Sequence, residues 1–163
     1  MPGMAPEENW PKQRYFKGSR IALPGCVPLF KKVHVFRVKP DHELPDAIVD
    51  YCRQNNITSG VVLGIIGSLK NARLNYLVKL PGKYVPVDYS GPLEIVSAQG
   101  SVALKDDEIV LHIHIQLSSQ EGCYGGHLAA ATVFSTAEVV IGELDYQLQR
   151  YTDDYTGLNE LMT

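Results

Sequence analysis

Apolar and polar residues alternate along most of the chain, which is the period of a β-strand. Turn signals rich in Gly, Pro and Asp interrupt this alternation at residues 81–82, 89–92 and 106–107. The pattern predicts strands over residues 32–38, 59–70, 72–80, 93–104, 108–117, 137–144 and 146–151. Residues 128–133 are small and apolar, and they fit either a helix or a strand.

A helical period follows the first strand. Leu44, Ile48 and Cys52 recur at fourfold spacing and so share one helix face. Pro45 suits the first turn, and Asn55-Asn56 supplies a stop signal. With one or two helices and short connections between strands, the chain is predicted to be an α+β protein with a mostly antiparallel sheet.

The composition fits a single domain without disulfide bonds. The chain has 163 residues, 45% of them hydrophobic, which is enough to bury a core. Its three cysteines are odd in number and form no CxxC motif, so we expect a reducing, cytoplasmic location. The N-terminal residues contain no apolar stretch of a signal peptide, and export or membrane insertion is not expected.

Charge is distributed unevenly. Residues 1–39 carry a net charge of +6 and residues 40–163 carry −9, which together give the net charge of −3. We therefore divide the chain into a flexible basic arm over residues 1–20 and one domain over 21–163. The arm's cations could contact DNA phosphates or lie on an acidic surface of the same or a neighbouring subunit. They are Lys12, Arg14, Lys17 and Arg20.

The histidines carry the candidate chemistry. In a strand, His112 and His114 project from the same face as Gln116, while Ile113 and its apolar neighbours face a core. His127 follows Gly125-Gly126, which we predict to be a flexible turn that returns this third imidazole to the pair. Three neutral imidazoles suit zinc, and also other divalent transition metals.

Other residues near these histidines have two interpretations each. Glu94 and Glu138 could hydrogen-bond to the metal ligands or act as acid or base groups near the metal, and Gln116 could also support the ligands. The two glutamates could equally be strand carboxylates paired with Arg73 or Arg150. Cys123 could be a fourth ligand, although a buried inert thiol is the favoured interpretation. His34 and His42 are not expected to bind metal.

Several separated segments together resemble the plants and prokaryotes conserved (PPC) domain, in order and in spacing. They are Gly64–Ala72, Leu93–Gly100, His112–Leu117, Glu121–Leu128, Ala137–Ile141 and the terminal element Arg150–Leu161. The resemblance covers about residues 30–161. It implies an α+β fold related in general to acetolactate decarboxylase, assembly as a homotrimer, and, as in prokaryotic members, a metal on His112, His114 and His127.

The plant members that this domain resembles carry an AT-hook and bind DNA, but the arm here offers only Lys17-Gly18-Ser19-Arg20 in place of that motif. A second departure is Ser119, where prokaryotic relatives often have Asp, so that Gln120 or Glu121 would have to take its role. Two functions follow as hypotheses. One is a trimeric, metal-binding and DNA-binding protein. The other is a metal-dependent enzyme acting on a small carbonyl compound, for which no partner acids or arginine can be placed.

Overall fold

The structure is a computed structural model that describes residues 30–162. The predicted basic arm over residues 1–20, with Lys12, Arg14, Lys17 and Arg20, lies outside the described residues. The described elements, in chain order, are β1 (Phe30–Val38), α1 (Leu44–Gln54), β2 (Gly60–Lys79), β3 (Lys83–Lys105), β4 (Glu108–Ser118), β5 (Cys123–Leu144), β6 (Arg150–Thr152) and β7 (Asn159–Leu161). The predicted α+β class is confirmed, with one helix in the described part of the chain.

The main sheet is antiparallel and partly closed. Its strand order is β1-β5-β2-β3-β4, and β4 also pairs with β5. The strands β2, β3, β4 and β5 therefore form a ring, with β1 added at the outer side of β5. The short strands β6 and β7 form a separate hairpin.

Helix α1 covers one side of the sheet, as its sequence predicts. Leu44, Ile48 and Cys52 are fully buried. The ring of Tyr51 stacks on Phe36 of β1 at a centroid distance of 3.7 Å. The helix ends before Asn56, whose φ of 56° belongs to the left-handed region that asparagine tolerates. With 11 residues, α1 is too short to cross a bilayer, and it is the one helix of the described residues.

Some predicted boundaries are wrong. The segments 59–70 and 72–80 are one strand, β2, with an irregularity between Leu69 and Asn71. The predicted turn at 89–92 lies inside β3. Gly91 allows the backbones of β3 and β2 to approach closely, because a Cβ there would lie 2.4 Å from the carbonyl oxygen of Leu69. Residues 128–133 are strand, and the predicted strand over 146–151 shortens to β6.

One face of the sheet points away from α1 and is not covered by any described element. Phe36 faces the helix, so its neighbours on β1 face the other way. We call this surface the outer face and define it by its exposed apolar residues Val33, Val35, Ile66 and Val96. Val35 is 69% exposed and Ile66 is 59% exposed, so these side chains present an apolar surface to solvent.

Candidate metal centre

Strands β4 and β5 bring the three predicted histidines together. His114 and His127 are direct partners across the β4–β5 pair, and His112 lies two residues along β4 on the same face. The ring centroids are 5.1 Å apart for His112 and His114, 5.1 Å for His112 and His127, and 5.6 Å for His114 and His127. One ligating nitrogen from each ring lies within 4.8 Å of the others.

The strand that carries two of these rings is anchored as predicted. Ile113, Ile115 and Leu117 are buried in the core, and the residues between them point outward. Opposite Ile113 on β3 stands Gly100, where a Cβ would lie only 2.0 Å from the carbonyl oxygen of His112. The backbone of β4 therefore approaches β3 closely at the very residue that supplies a histidine.

The predicted Gly125-Gly126 turn is wrong. Both glycines lie within β5 and pair with Gln116 and Ile115 of β4. The chain reverses earlier, where the amide of Ser119 donates to the carbonyl oxygen of Gly122. Strand β5 lies between β4 and β2 here, and a Cβ on Gly126 would make an ordinary van der Waals contact with the Cβ of Leu74 at 3.4 Å. His127 is thus held by a paired strand and not by a flexible loop.

Arg150, which the sequence offers only as a possible partner of Glu94 or Glu138, stands beside the histidines. Its Nη2 lies 3.3 Å from Nδ1 of His112 and donates to Oγ of Ser101 at 2.8 Å. Its Nη1 donates to the backbone oxygen of Asn159 at 2.6 Å. The β6–β7 hairpin carries both Arg150 and Asn159, so the C-terminal part of the described chain delivers a cation to the cluster.

The environment favours the neutral form of His112 and of His127. Burial, with the charges of Arg150, His127 and His114, lowers the pKa of His112 to about 4. Burial, with the charges of His114 and Arg150, also lowers the pKa of His127. Neutral imidazole is the form that ligates metal, because the protonated ring has no free lone pair. His114 is exposed, whereas His112 and His127 are half-buried, so the cluster is open to solvent at His114.

We expect acid to destabilise the metal-free protein through His112. Its folded pKa of about 4 lies below the unfolded value of 6.5, so the unfolded state takes up a proton first as the pH falls. The stability contributed by the neutral ring is present above pH 6.5 and is lost progressively down to about pH 4. After allowance for solvent screening, the change should be about 1–2 kcal/mol.

Urea denaturation of metal-free protein between pH 4 and pH 7.5 measures this effect. The His112→Gln variant, which cannot titrate, serves as the control and should show a flatter profile. Identical pH profiles for the two proteins would contradict the expectation.

Only one of the predicted supporting residues lies beside the histidines. Gln116 is exposed two residues along β4 from His114, on the same face and opposite Ser97. Glu94 is exposed opposite Ser118, which is four residues, or about 13 Å, along β4 from His114. Glu138 is exposed opposite Arg37 of β1.

The alternative pairing of the glutamates with arginine finds no support. Arg73 pairs with Asp88, with its Nε 2.8 Å from Oδ1. Arg150 donates to Ser101 and Asn159, as described above. An arginine that the sequence alone could not place therefore lies next to the three histidines.

The remaining candidates also lie away from the three histidines. Cys123 is exposed at the start of β5, opposite Ser118, so the expected buried thiol is wrong. Gln120 and Glu121 lie in the turn between β4 and β5, beyond the end of β4 at Ser118. His34 is buried, with Nε2 3.2 Å from Oε2 of Glu143, and His42 contacts the backbone oxygen of Pro40.

Comparison with protein families gives one match that covers most of the chain. The Plants and Prokaryotes Conserved (PCC) domain matches residues 28–145. These residues contain β1 to β5 and all three clustered histidines, while the hairpin that carries Arg150 follows the matched region.

Solved structures with the same fold come from several prokaryotes. A protein of Archaeoglobus fulgidus described as metal-containing is 30% identical, with 85% of this chain and 99% of that chain covered and a TM-score of 0.77. A plant- and prokaryote-conserved protein of Pyrococcus horikoshii is 31% identical, with 82% and 94% covered and a TM-score of 0.75. A Bacteroides thetaiotaomicron protein provisionally described as DNA-binding shares the fold at 21% identity and a TM-score of 0.75, with 82% and 96% covered.

Among curated proteins, the chain is similar to the bifunctional protein GlmU of two Synechococcus strains. Each is 30% identical over 133 residues, which is 80% of this chain. The match spans only about one fifth of the length of these relatives, 20% in each case. The similarity therefore concerns one segment of a much longer protein.

Proposed function

This chain belongs to the Plants and Prokaryotes Conserved domain family, and from this premise we propose that it is a homotrimeric protein that binds zinc through His112, His114 and His127. The observation that carries the proposal is the convergence of three imidazoles from two paired strands. The 30% identical protein of Archaeoglobus fulgidus, described as metal-containing, supports it. Metal analysis of the purified protein, with the histidine variants described in the Discussion, tests it.

The three side chains fit a zinc ion with little movement. Their ligating nitrogens lie within 4.8 Å of one another, and shifts of about 1 Å would bring them to the roughly 3.4 Å separation of a tetrahedral site with Zn–N bonds of 2.0–2.1 Å. Three protein ligands leave a fourth position open, which is typical of sites that bind water or a ligand. When bound, zinc would supply Lewis acidity at that position.

The outer face supports the proposed assembly. Val33, Val35, Ile66 and Val96 form an apolar surface on a sheet that no described element covers. Exposed apolar surfaces of this kind are typical of subunit interfaces. The solution mass of the protein tests the trimer, and three times the chain mass of 18.0 kDa is expected. The free thiols of Cys52 and Cys123 support the proposed cytoplasmic location.

We propose that the basic arm is the segment that contacts DNA. We expect a variant with Lys12, Arg14, Lys17 and Arg20 replaced by Gln to lose most of its affinity for duplex DNA, because these cations would displace counterions from the phosphates. The slope of log K against log salt should fall by about 0.9 for each lost phosphate contact. Binding is measured by fluorescence anisotropy at several salt concentrations.

A variant that removes two exposed lysines from the body, Lys79→Gln/Lys83→Gln, is the control for this experiment and should bind DNA as the wild type does. Unchanged affinity and salt slope in the arm variant would exclude the arm as the binding segment.

A second candidate function is catalysis on a small carbonyl compound at the metal. The open side of the cluster at His114 favours it, because a substrate oxygen could reach the ion from solvent. The position of Arg150 also favours it, because a fixed cation could orient an anionic group of the substrate.

A further inference from the structure

We propose that Arg150 is the anion-binding residue of the three-histidine centre, and that the centre takes a small 2-oxo or 2-hydroxy carboxylate. One carboxylate oxygen would contact Nη2 of Arg150, and the neighbouring carbonyl or hydroxyl oxygen would take the open position on the metal. This inference rests on the proposed metal-binding function.

The guanidinium of Arg150 is held in place and turned toward the cluster. Nη1 is engaged by the backbone oxygen of Asn159 at 2.6 Å, and Nη2 by Oγ of Ser101 at 2.8 Å. Nε is buried and has no hydrogen-bond partner among the described residues. Nη2 also lies 3.3 Å from Nδ1 of His112. One N–H of Nη2 therefore points to Ser101, and the other points to the histidines.

The hydrogen bond between Arg150 and His112 is incompatible with ordinary metal ligation by His112. A guanidinium only donates hydrogen bonds, so Nδ1 of His112 must accept, and the single proton of the neutral ring is then on Nε2. In this state neither nitrogen of His112 has a free lone pair.

Metal binding must therefore change the contact with Arg150. A metal on Nδ1 takes the lone pair that Nη2 now uses. A metal on Nε2 moves the ring proton to Nδ1, where it faces the N–H of Nη2. In both cases Nη2 loses its acceptor on His112 while Ser101 and Asn159 still hold the guanidinium beside the cluster. The loaded centre thus gains an unpaired, positively charged donor next to an open coordination position.

The freed N–H of Arg150 and the open position on the metal together fit a small monoanion with two adjacent oxygen groups. Among the described residues, Arg150 is the lysine or arginine whose charge acts on both His112 and His127, and metal binding frees one N–H of its Nη2. A phosphate group normally gathers several cationic or backbone donors, whereas a carboxylate can be satisfied by one charged donor and the metal. A 2-oxo or 2-hydroxy acid places its second oxygen close enough to share the two sites.

Cobalt(II) provides a spectroscopic test, because its visible absorption reports on ligands at the open position. Wild-type protein is loaded with cobalt and titrated with pyruvate, with lactate, and with acetate and inorganic phosphate as comparison probes. We expect pyruvate and lactate to change the spectrum saturably, and acetate and phosphate to bind at least about tenfold more weakly. Phosphate or acetate binding as tightly as pyruvate would overturn the proposed ligand class.

The Arg150→Gln variant tests the residue. We expect its pyruvate affinity to fall at least about tenfold, because the charged donor is lost. Its cobalt affinity, measured by chelator competition, should equal or exceed that of the wild type, because a competitor for His112 is removed. A purely structural role of Arg150 would instead weaken cobalt binding. Arg73→Gln, which removes an exposed arginine paired with Asp88, is the matched control and should change neither affinity.

The outcomes separate the two proposals. Failure of the wild type to bind cobalt would contradict the metal-binding function itself. Cobalt binding with equal pyruvate affinity in wild type and Arg150→Gln would overturn only the role of Arg150. If Arg150→Gln does not fold, Arg150→Lys replaces it, since lysine keeps the charge but not the planar fork. This variant should bind pyruvate at least about threefold more weakly, and unchanged pyruvate binding would also overturn the role of Arg150.

Discussion

Replacing both His112 and His114 by alanine is expected to abolish metal binding. The change removes two of the three imidazoles that lie within reach of one ion, and His127 alone cannot retain it. Because a binding free energy of roughly 10 kcal/mol or more is shared by only a few ligands, the affinity should fall at least about a thousandfold. Elemental analysis after dialysis should show about one zinc per chain in the wild type and almost none in the variant.

The His42→Ala variant is the matched control for this measurement. His42 is exposed, lies outside the cluster and contacts the backbone oxygen of Pro40, so its loss should leave the zinc content unchanged. Both variants should keep the far-ultraviolet circular dichroism of the wild type, because none of the three replaced side chains belongs to the core. Stoichiometric zinc in the double variant would contradict the assignment of the ligands.

Replacing Gly100 by alanine is expected to lower the free energy of unfolding by about 2–4 kcal/mol. An added Cβ would lie 2.0 Å from the carbonyl oxygen of His112 and 2.9 Å from Cα of Ile113, and both are backbone atoms of β4. Strand β4 must therefore move away from β3 to accept it. Because the displaced residue is His112, we expect zinc affinity to fall along with stability. Urea denaturation and zinc titration by chelator competition measure the two effects.

Gly64→Ala is the control for the glycine prediction. Its added Cβ meets no atom within 4 Å, so the unfolding free energy should change by no more than about 0.5 kcal/mol. An equal stability of the Gly100→Ala and Gly64→Ala variants would show that the β3–β4 approach at His112 is not a close one.

Features that depend on a short stretch of sequence could be predicted. Alternation over residues 108–117 predicts a strand with His112 and His114 on one face, and β4 has that arrangement. The fourfold spacing of Leu44, Ile48 and Cys52 predicts the buried face of α1. In both cases the periodicity of the backbone alone decides which side chains share a face.

Features that depend on contacts between distant segments could not be predicted. The sequence pattern predicts turns at Gly91 and Gly126, but both lie inside strands. At Gly91 the neighbouring backbone leaves no room for a Cβ, which would lie 2.4 Å from the carbonyl oxygen of Leu69. Arg150 reaches the cluster only through the β6–β7 hairpin, 38 residues from His112 along the chain. Because a separate hairpin carries Arg150, a local sequence pattern cannot predict that this arginine lies beside the histidines. Cys123 was expected to be buried from its residue type, yet its place at the start of β5 exposes it.

The position of the metal ion is tested most directly by a crystal structure of zinc-loaded protein. Anomalous data collected at the zinc edge would locate the ion. We predict one strong anomalous peak per chain, at about 2.0–2.1 Å from one nitrogen each of His112, His114 and His127. Absence of a peak between these three rings, or a peak bound by other residues alone, would contradict the claim.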